Sequence, residues 1–238
     1  MDISEGIRIT DLCLKIGGTL VVGDVHIGYE EALNKQGFMV PRVQFPQMME
    51  RMKNILEKEK PQRIILIGDL KHEFGTISNQ EWRETLKFLD LLTKYTSDII
   101  LIRGNHDTIL EPITRKRRIT LVDAYTKGDV LFVHGDAKPD NIPETIKTIV
   151  IGHEHPAVTL DDGMRRETFK CFLKGEYKGR TLIVLPSFFL ATHGTDVLTE
   201  ELLSPMLGRI GDMEVFVISD GEILPFGTVA RIRRKLPG

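Results

Sequence analysis

Residues 99–107 read Ile-Ile-Leu-Ile-Arg-Gly-Asn-His-Asp, an apolar run of β-forming residues that ends in a polar cluster. Because polar residues do not alternate with apolar ones in this run, it is typical of a short strand buried on both faces of a sheet. Four further clusters close or follow apolar runs in the same way: Gly23-Asp24-Val25-His26, Gly68-Asp69, Val133-His134-Gly135-Asp136 and Gly152-His153-Glu154-His155. The five clusters together hold five of the seven histidines.

The segments between the first clusters predict helices that alternate with these strands. Residues 44–59 place apolar side chains on one helical face, and Pro61 stops the helix. Ser78 and Glu81 form a capping box in front of a second helix. The order strand, helix, strand favours an open α/β sheet, in which loops at the carboxyl ends of the strands converge. We therefore expect the polar clusters to meet in space.

The two ends of the chain predict antiparallel strands. Residues 7–14 and 19–22 flank Gly17-Gly18 and predict a hairpin. After Pro156, residues 168–173, 181–185 and 214–219 resemble strands. The turns between them are expected at Gly175, Gly179 and Asp220-Gly221. We expect a second, mostly antiparallel sheet packed on the first, and a short helix within residues 196–206.

Length and composition indicate one globular α/β domain spanning residues 1–238. Hydrophobic residues make up 41% of the chain and charged residues 28%, and no apolar run approaches the roughly 18 residues of a membrane span. The first residues lack the pattern of a secretory signal, so we predict a cytoplasmic protein without a membrane partner. Cys13 and Cys171 lie in apolar stretches and are expected to be buried, reduced thiols.

The charge balance gives no overall attraction for a polyanion. The formal net charge is −2, but basic residues crowd positions 115–118 and 231–235. Either run is expected to contact phosphates or to form a solvated loop or tail.

The side chains of the clusters are those that bind divalent metals. A single Gly-Asp pair after a strand is weak evidence for a ligand, because turns favour both glycine and aspartate. A lone histidine at a strand end is more often hydrogen-bonded and structural than a ligand. Five clusters with recurring carboxylate, imidazole and amide groups favour a metal centre instead. Two metals about 3.5 to 4 Å apart suit in-line displacement at phosphorus. The sequence therefore predicts phosphoester hydrolysis.

The clusters follow the order D-x-H, G-D, G-N-H-D/E, H and G-H-x-H, and in this the chain resembles the calcineurin-like metallophosphoesterases. The match runs from Asp24 to His155. Within that superfamily it is most similar to the prokaryotic, chiefly archaeal, phosphoesterases related to the nuclease subunit of the SbcD and Mre11 type. The resemblance implies a four-layer αββα sandwich of two mixed β-sheets flanked by helices.

The resemblance also implies roles for individual residues. One metal would be held by Asp24, His26 and His155, and the other by Asn105, His134 and His153. Asp69 would bridge both metals. His106 would hydrogen-bond the phosphoryl oxygens and protonate the leaving alkoxide, and Asp107 would orient its imidazole.

The predicted cofactors are two divalent metal ions. Their four positive charges exceed the charge of two carboxylates, which leaves a field that attracts a phosphoester. A water or hydroxide between the metals would be acidic enough to attack near neutral pH. Oxygen and nitrogen ligands without cysteine favour Mn²⁺, followed by Fe or Zn²⁺.

Lys71 and His72 are the candidate substrate-binding residues. The related nucleases carry an aromatic residue where this chain has Lys71, and they continue into a DNA-gripping capping domain, whereas this sequence ends at Gly238. His72 is expected either to contact substrate or to make a structural hydrogen bond, and the same two alternatives apply to His193.

The leading hypothesis is a phosphodiesterase that acts on nucleotide or nucleic-acid diesters. A DNA repair nuclease that works with a helicase or another partner is the first alternative. A phosphomonoesterase is the second, and a non-catalytic metal-binding scaffold, like the retromer scaffold subunit of the superfamily, is the third. A homodimer stays open, although no heptad pattern argues for it.

Overall fold

The computed structural model describes residues 1–73, 77–107, 109–161 and 163–235, and two β-sheets form its centre. In the first sheet, seven strands lie side by side in chain order. They are β1 (Asp2–Ser4), β2 (Ile7–Thr10), β3 (Cys13–Ile16), β4 (Thr19–Val22), β5 (Arg63–Ile67), β6 (Ile99–Ile102) and β7 (Thr120–Val122). Strands β1 to β4 pair in an antiparallel manner, and β4 to β7 run parallel, because helices cross over between them.

Four helices connect the parallel strands of this sheet. They are α1 (Tyr29–Lys35), α2 (Gln44–Glu59), α3 (Asn79–Thr93) and α4 (Glu111–Arg117). Helix α2 has the predicted bounds and buries its apolar face against the sheet. Ser78 caps α3 as predicted, since its Oγ accepts a hydrogen bond from the backbone N of Glu81 over 3.0 Å. No clear sequence pattern predicts the short helices α1 and α4.

The second sheet has nine strands. They are β8 (Ala124–Lys127), β9 (Val130–Val133), β10 (Thr148–Ile151), β11 (Pro156–Asp161), β12 (Arg166–Tyr177), β13 (Arg180–Val184), β14 (Thr195–Asp196), β15 (Glu214–Ser219) and β16 (Glu222–Thr228). Strand β10 runs parallel to β9 and β13, whereas β12 is antiparallel to β11, β13 and β15. The sheet is therefore mixed.

The two sheets pack face to face, and successive residues of one strand in the second sheet lie in different hydrophobic cores. Phe132 and Val150 point into the core shared with the first sheet. Leu131 and Ile149 point to the opposite face, where they meet residues 198–213 and the last helix, α5 (Val229–Arg233). Burial on both faces explains why these strands are uniformly apolar. The predicted αββα arrangement of two mixed sheets is confirmed; the outer cover of the second sheet is α5 with the segment before β15.

Three local predictions were wrong. The hairpin predicted around Gly17-Gly18 is present between β3 and β4, but residues 7–14 form parts of two strands, because Asp11 takes a left-handed φ of 55° and turns the chain between them. Gly175 lies inside β12, paired with Leu182, so no turn forms there, whereas the turns predicted at Gly179 and Asp220-Gly221 are present. Residues 196–206 form no helix, since the backbone N–H groups of Leu203 and Ser204 bind the side chain of Glu154.

Both cysteines are buried free thiols, as predicted, and burial raises the pKa of each. Within the described ranges, none of the helices is long and apolar enough to cross a bilayer.

Candidate metal centre

The loops that follow β4, β5, β6, β9 and β10 carry the five polar clusters and meet at one edge of the paired sheets. Backbone hydrogen bonds join neighbouring loops. His26 N donates to Asp69 O over 2.9 Å, and Gly152 N donates to His134 O over 2.9 Å. Residues far apart in sequence are thereby fixed beside one another, as the strand order predicted.

A first ligand group consists of Asp24, His26 and His155, whose potential ligand atoms all lie within 4.8 Å of one another. Nε2 of His155 is 3.4 Å from Oδ1 of Asp24. That Oδ1 atom is buried and has no hydrogen-bond partner among the residues the structure describes. A buried carboxylate oxygen without a donor is costly unless a cation accompanies it, so this donor set fits a divalent metal.

A second ligand group consists of Asp69, His134 and His153, again within 4.8 Å. Nε2 of His134 lies 3.0 Å from Oδ1 of Asn105 and 3.2 Å from Nδ1 of His153. The four side chains offer oxygen and nitrogen atoms only, which suits Mn²⁺, Fe or Zn²⁺.

Asp69 lies between the two groups. Its Oδ2 is 3.8 Å from Nε2 of His26 on one side and 3.5 Å from Nε2 of His134 on the other. The carboxylate can therefore reach a cation held by either group.

The backbone of the site is strained where ligand candidates are presented. His26, Asp69, His153 and His155 have φ values of 47°, 41°, 63° and 49°. Non-glycine residues rarely adopt such values, which cost about 1 to 2 kcal/mol each. The chain also needs glycine beside them, because a Cβ at Gly104 would overlap the backbone and side chain of Asp69. Strain of this kind is typical of functional sites.

Burial and the charges of neighbouring groups shift the pKa values of the ligand candidates in opposite directions. Burial raises the pKa of Asp24, but the neighbouring imidazoles, His155 foremost, outweigh it and hold that pKa below its ordinary value. Burial and His155 lower the pKa of His26 to about 3. Burial also opposes protonation of His134, yet Asp69 and Asp24 prevail and raise its pKa to about 9. The carboxylates thus favour a positive charge within the site.

His106 lies beside the first group. Its backbone N donates to Oδ1 of Asp69 over 2.9 Å, and its ring Nδ1 contacts the carbonyl oxygen of His72. Nε2 of His106 is 3.8 Å from Oδ2 of Asp69, so this nitrogen lies on the side of the predicted metals.

Asp107 does not orient His106 in the predicted way. The buried carboxylate of Asp107 accepts hydrogen bonds from Leu70 N over 3.0 Å and Gly104 N over 3.1 Å, which ties the loop after β5 to the loop after β6. Burial and the nearby Asp69 raise its pKa to about 7. The imidazole is held by a main-chain carbonyl instead, which no sequence pattern reveals.

The two substrate-binding candidates differ in their surroundings. The ring of His72 stacks with that of His106 at a centroid distance of 5.6 Å, and its Nδ1 is buried without a hydrogen-bond partner in the described part of the chain. With His26 and His106 it forms a third group of ligand atoms within 4.8 Å. The side chain of Lys71 is fully buried and donates to the carbonyl oxygen of Glu73, so it does not face the site. The carbonyl of His193 accepts from Lys170.

Other residues, to which the sequence patterns assign no role in the site, surround the group of His26, His72 and His106. Tyr29 packs against His72 with ring centroids 4.7 Å apart, and Phe189 packs against Tyr29 at 4.9 Å. Glu81 is fully buried behind His72. The capping box pointed to Glu81 as a helix residue only, and aromatic residues at positions 29 and 189 carried no pattern of their own.

Comparison with known proteins agrees with this architecture. The family model described as calcineurin-like phosphoesterase matches residues 19–185. The crystal structure of the nuclease MPE from Pseudomonas putida is similar, with a TM-score of 0.65 and 19% sequence identity over 92% of this chain and 94% of that one. No curated protein matches the chain in sequence.

Two weaker structural matches cover 88% of this chain and 98% of the other protein. They are the phosphoesterase YfcE from E. coli, at 17% identity and a TM-score of 0.44, and Vps29 from Chaetomium thermophilum, at 16% identity and a TM-score of 0.41. At these identities the likeness concerns the fold.

Proposed function

The chain belongs to the calcineurin-like phosphoesterase family, and we propose that it hydrolyses phosphodiesters of the nucleotide or nucleic-acid type with two divalent metal ions. One observation carries the proposal: the carboxylate of Asp69 lies between two histidine-containing ligand groups, with Nε2 of His106 at 3.8 Å from the same oxygen. Two cation sites and a proton donor on one edge suit phosphoryl transfer.

In this proposal Asp24, His26 and His155 would hold one cation, and Asn105, His134 and His153 would hold the other. Asp69, which lies between the two groups, would be available to both. Cations bound there would neutralise the phosphoryl oxygens and lower the pKa of a water for attack on phosphorus near neutral pH. We favour Mn²⁺, because the donors are oxygen and nitrogen atoms and imidazoles predominate.

His106 is the proposed general acid. As an imidazolium it donates from Nδ1 to the carbonyl of His72 and from Nε2 to the leaving oxygen. After the Nε2 proton is transferred, the neutral ring keeps the proton on Nδ1, which is the tautomer that the carbonyl stabilises. His72 is proposed to contact a substrate oxygen with its half-buried imidazole, which stacks on the ring of His106.

The shape of the site favours a diester over a monoester. An open groove of about 610 Å³ begins at Asn105 and His134 and continues past Arg103 and Lys138. A phosphodiester has a second substituent that needs such space, whereas a monoester leaves it empty.

A screen of substrates with the Mn²⁺-loaded protein tests the proposal. It compares a cyclic nucleotide, bis-p-nitrophenyl phosphate, p-nitrophenyl phosphate, and single- and double-stranded DNA. We expect turnover of at least one diester and its loss in Asp69→Asn. Turnover of the monoester alone would contradict diester hydrolysis, and bound metal without turnover of any ester would favour a scaffold.

A nuclease is the second candidate, and a separate surface favours it. Arg165, Arg231 and Lys235 line an open groove of about 550 Å³ together with Phe169 and Phe226. Cations next to aromatic rings suit a single nucleic-acid strand, although Asp161 and Glu167 also lie in the lining. The similarity in fold to a protein described as a nuclease points in the same direction.

A further inference from the structure

We propose that Glu81 is a positioning residue for His106, acting through the backbone of residues 72 and 73. The inference rests on the proposed function, because it concerns the residue assigned there as the general acid. Glu81 does not contact the reacting atoms; it fixes the turn whose carbonyl holds the acid.

The carboxylate of Glu81 holds this turn by two hydrogen bonds to one oxygen. Oε1 accepts from His72 N over 2.9 Å and from Glu73 N over 3.0 Å. His72 N also points to the carbonyl of Ile27 at 2.9 Å, so this donor is shared. Glu73 N has Glu81 as its acceptor, and loss of the carboxylate would leave that group without its partner.

Glu81 is itself fixed from three sides. It is the third residue of α3, whose cap Ser78 accepts from Glu81 N over 3.0 Å. Its side chain is fully buried, and a Cβ on Gly28 would lie 2.8 to 2.9 Å from its Cγ, Cδ and Oε1. This packing restricts the rotamers that are open to the Glu81 side chain. The usual reciprocal half of a capping box is given up, since Oε1 is turned towards residues 72 and 73.

The same turn orients the acid. The carbonyl of His72 contacts Nδ1 of His106, and the N–H of Glu73, which belongs to the same peptide unit as that carbonyl, donates to Oε1 of Glu81. A shift of this peptide would rotate or release the imidazole and let Nε2 leave the site. Because a misplacement of about 1 Å can cost about 100-fold in rate, an anchor for one peptide is sufficient to affect catalysis.

A pair of variants separates hydrogen bonding from charge. In Glu81→Gln the amide oxygen can accept the same two N–H groups, and the amide nitrogen would occupy the position of Oε2, which has no hydrogen-bond partner among the described residues. In Glu81→Ala both hydrogen bonds are lost. Glu84→Ala is the matched control, since Glu84 lies one turn later on α3 and accepts from Gln80 instead.

The kinetic test compares two diesters with the same nucleoside, one losing p-nitrophenolate and the other an alkoxide. The alkoxide needs a proton, so Glu81→Ala should lose about 10- to 100-fold in kcat on that ester and much less on the other. Glu81→Gln and Glu84→Ala should stay near the wild type. An equal loss on both esters, or no loss, would overturn the positioning role.

A second measurement does not depend on turnover. In the Zn²⁺-loaded protein, ¹⁵N spectra of the histidine rings, assigned with His106→Gln, should show a hydrogen-bonded Nδ1 proton on His106. We expect this signal in the wild type and Glu81→Gln and its loss in Glu81→Ala. Persistence of the signal in Glu81→Ala contradicts the inference. If the wild type cleaves neither ester and the signal still follows Glu81, the proposed function fails while the positioning role is supported.

Discussion

Nε2 of His26 lies 3.3 Å from Nε2 of His155, although 129 positions separate the two residues in the chain. Two imidazole nitrogens at this distance are aimed at the same point. Only one of them can donate to the other, and protons on both Nε2 atoms would point two donor hydrogens at each other. A cation that accepts both lone pairs removes this conflict, which is a physical reason to expect a metal at this point.

Removing single ligands should change the number of bound metals in a defined way. We expect about one Mn²⁺ per chain fewer in His155→Ala and in His153→Ala, because each variant weakens one ligand group. Asp69→Ala should lose both, since its carboxylate lies between the groups. Metal content is measured by mass spectrometry after gel filtration.

His193→Ala is the control for this series, because the ring of His193 belongs to none of the ligand groups found in the described residues. It should retain two metals. If His155→Ala binds as many metal ions per chain as the wild type, the group of Asp24, His26 and His155 does not hold a metal.

His106→Ala should lower kcat according to the leaving group. General acid catalysis contributes about 100- to 10,000-fold, so a dinucleotide should be cleaved that much more slowly, whereas a p-nitrophenyl diester should be affected little. Metal content should stay at the wild-type value, since His106 is not among the proposed ligands. A dinucleotide rate that does not change would show that another group donates the proton.

His72→Ala should give a different result. The variant keeps the main-chain carbonyl that contacts Nδ1 of His106, so the dependence on the leaving group should match the wild type. Loss of the imidazole should instead raise KM, because His72 is proposed to bind a substrate oxygen. Steady-state kinetics on both esters separates the two effects, and a fall in kcat confined to the dinucleotide would assign His72 to proton transfer.

The centre of this fold was predictable because local and long-range preferences agree there. Apolar runs such as residues 64–67 and 99–102 can only be buried on both faces, and their polar ends then meet at one edge. Helix α2 has a continuous apolar face and was predicted with its observed bounds. A structure can be predicted from its sequence where local preferences and tertiary packing favour the same arrangement.

Prediction failed where a tertiary contact decides the local structure. The segment 196–206 contains helix-forming residues, but the buried carboxylate of Glu154 binds its backbone in an irregular loop. Asp107 was expected to orient the imidazole of His106, but its carboxylate accepts hydrogen bonds from Leu70 N and Gly104 N instead. Glu81 was recognised as a helix cap residue, while its contact with residues 72 and 73 depends on how α3 packs.

Salt dependence should discriminate a small-diester enzyme from a nuclease. If the groove beside α5 holds DNA, log Kd for a short single strand should change steeply with log salt, by about 0.7 per phosphate contact. Replacing Arg231 and Lys235 by Glu should weaken binding and reduce that slope by the amount expected for about two phosphate contacts. Turnover of bis-p-nitrophenyl phosphate should not change, because neither residue belongs to the proposed catalytic site. A flat salt response in the wild type would exclude this groove as a DNA site.

Lys170 should make the stability of the protein depend on alkaline pH. Its ammonium group is buried on β12 and donates to Oγ of Ser187 over 2.7 Å. Burial, with a smaller effect of Arg51, lowers its pKa to about 7. Between pH 7 and the usual value near 10.5, the unfolded chain holds the proton that the folded protein has released. The free energy of unfolding should therefore rise with pH in this window and lose that gain as pH falls towards 7.

Urea unfolding in EDTA at pH 7 and pH 9.5 measures the effect in the wild type and Lys170→Met. Each pH unit over which the two states differ by one proton is worth about 1.4 kcal/mol, so the wild type should gain up to about 3 kcal/mol relative to the variant. The loss of the bond to Ser187 is the same at both pH values and cancels. Lys147→Met, at an exposed lysine, should follow the wild type. If Lys170→Met gains as much as the wild type between the two pH values, Lys170 is charged in the folded protein throughout this range.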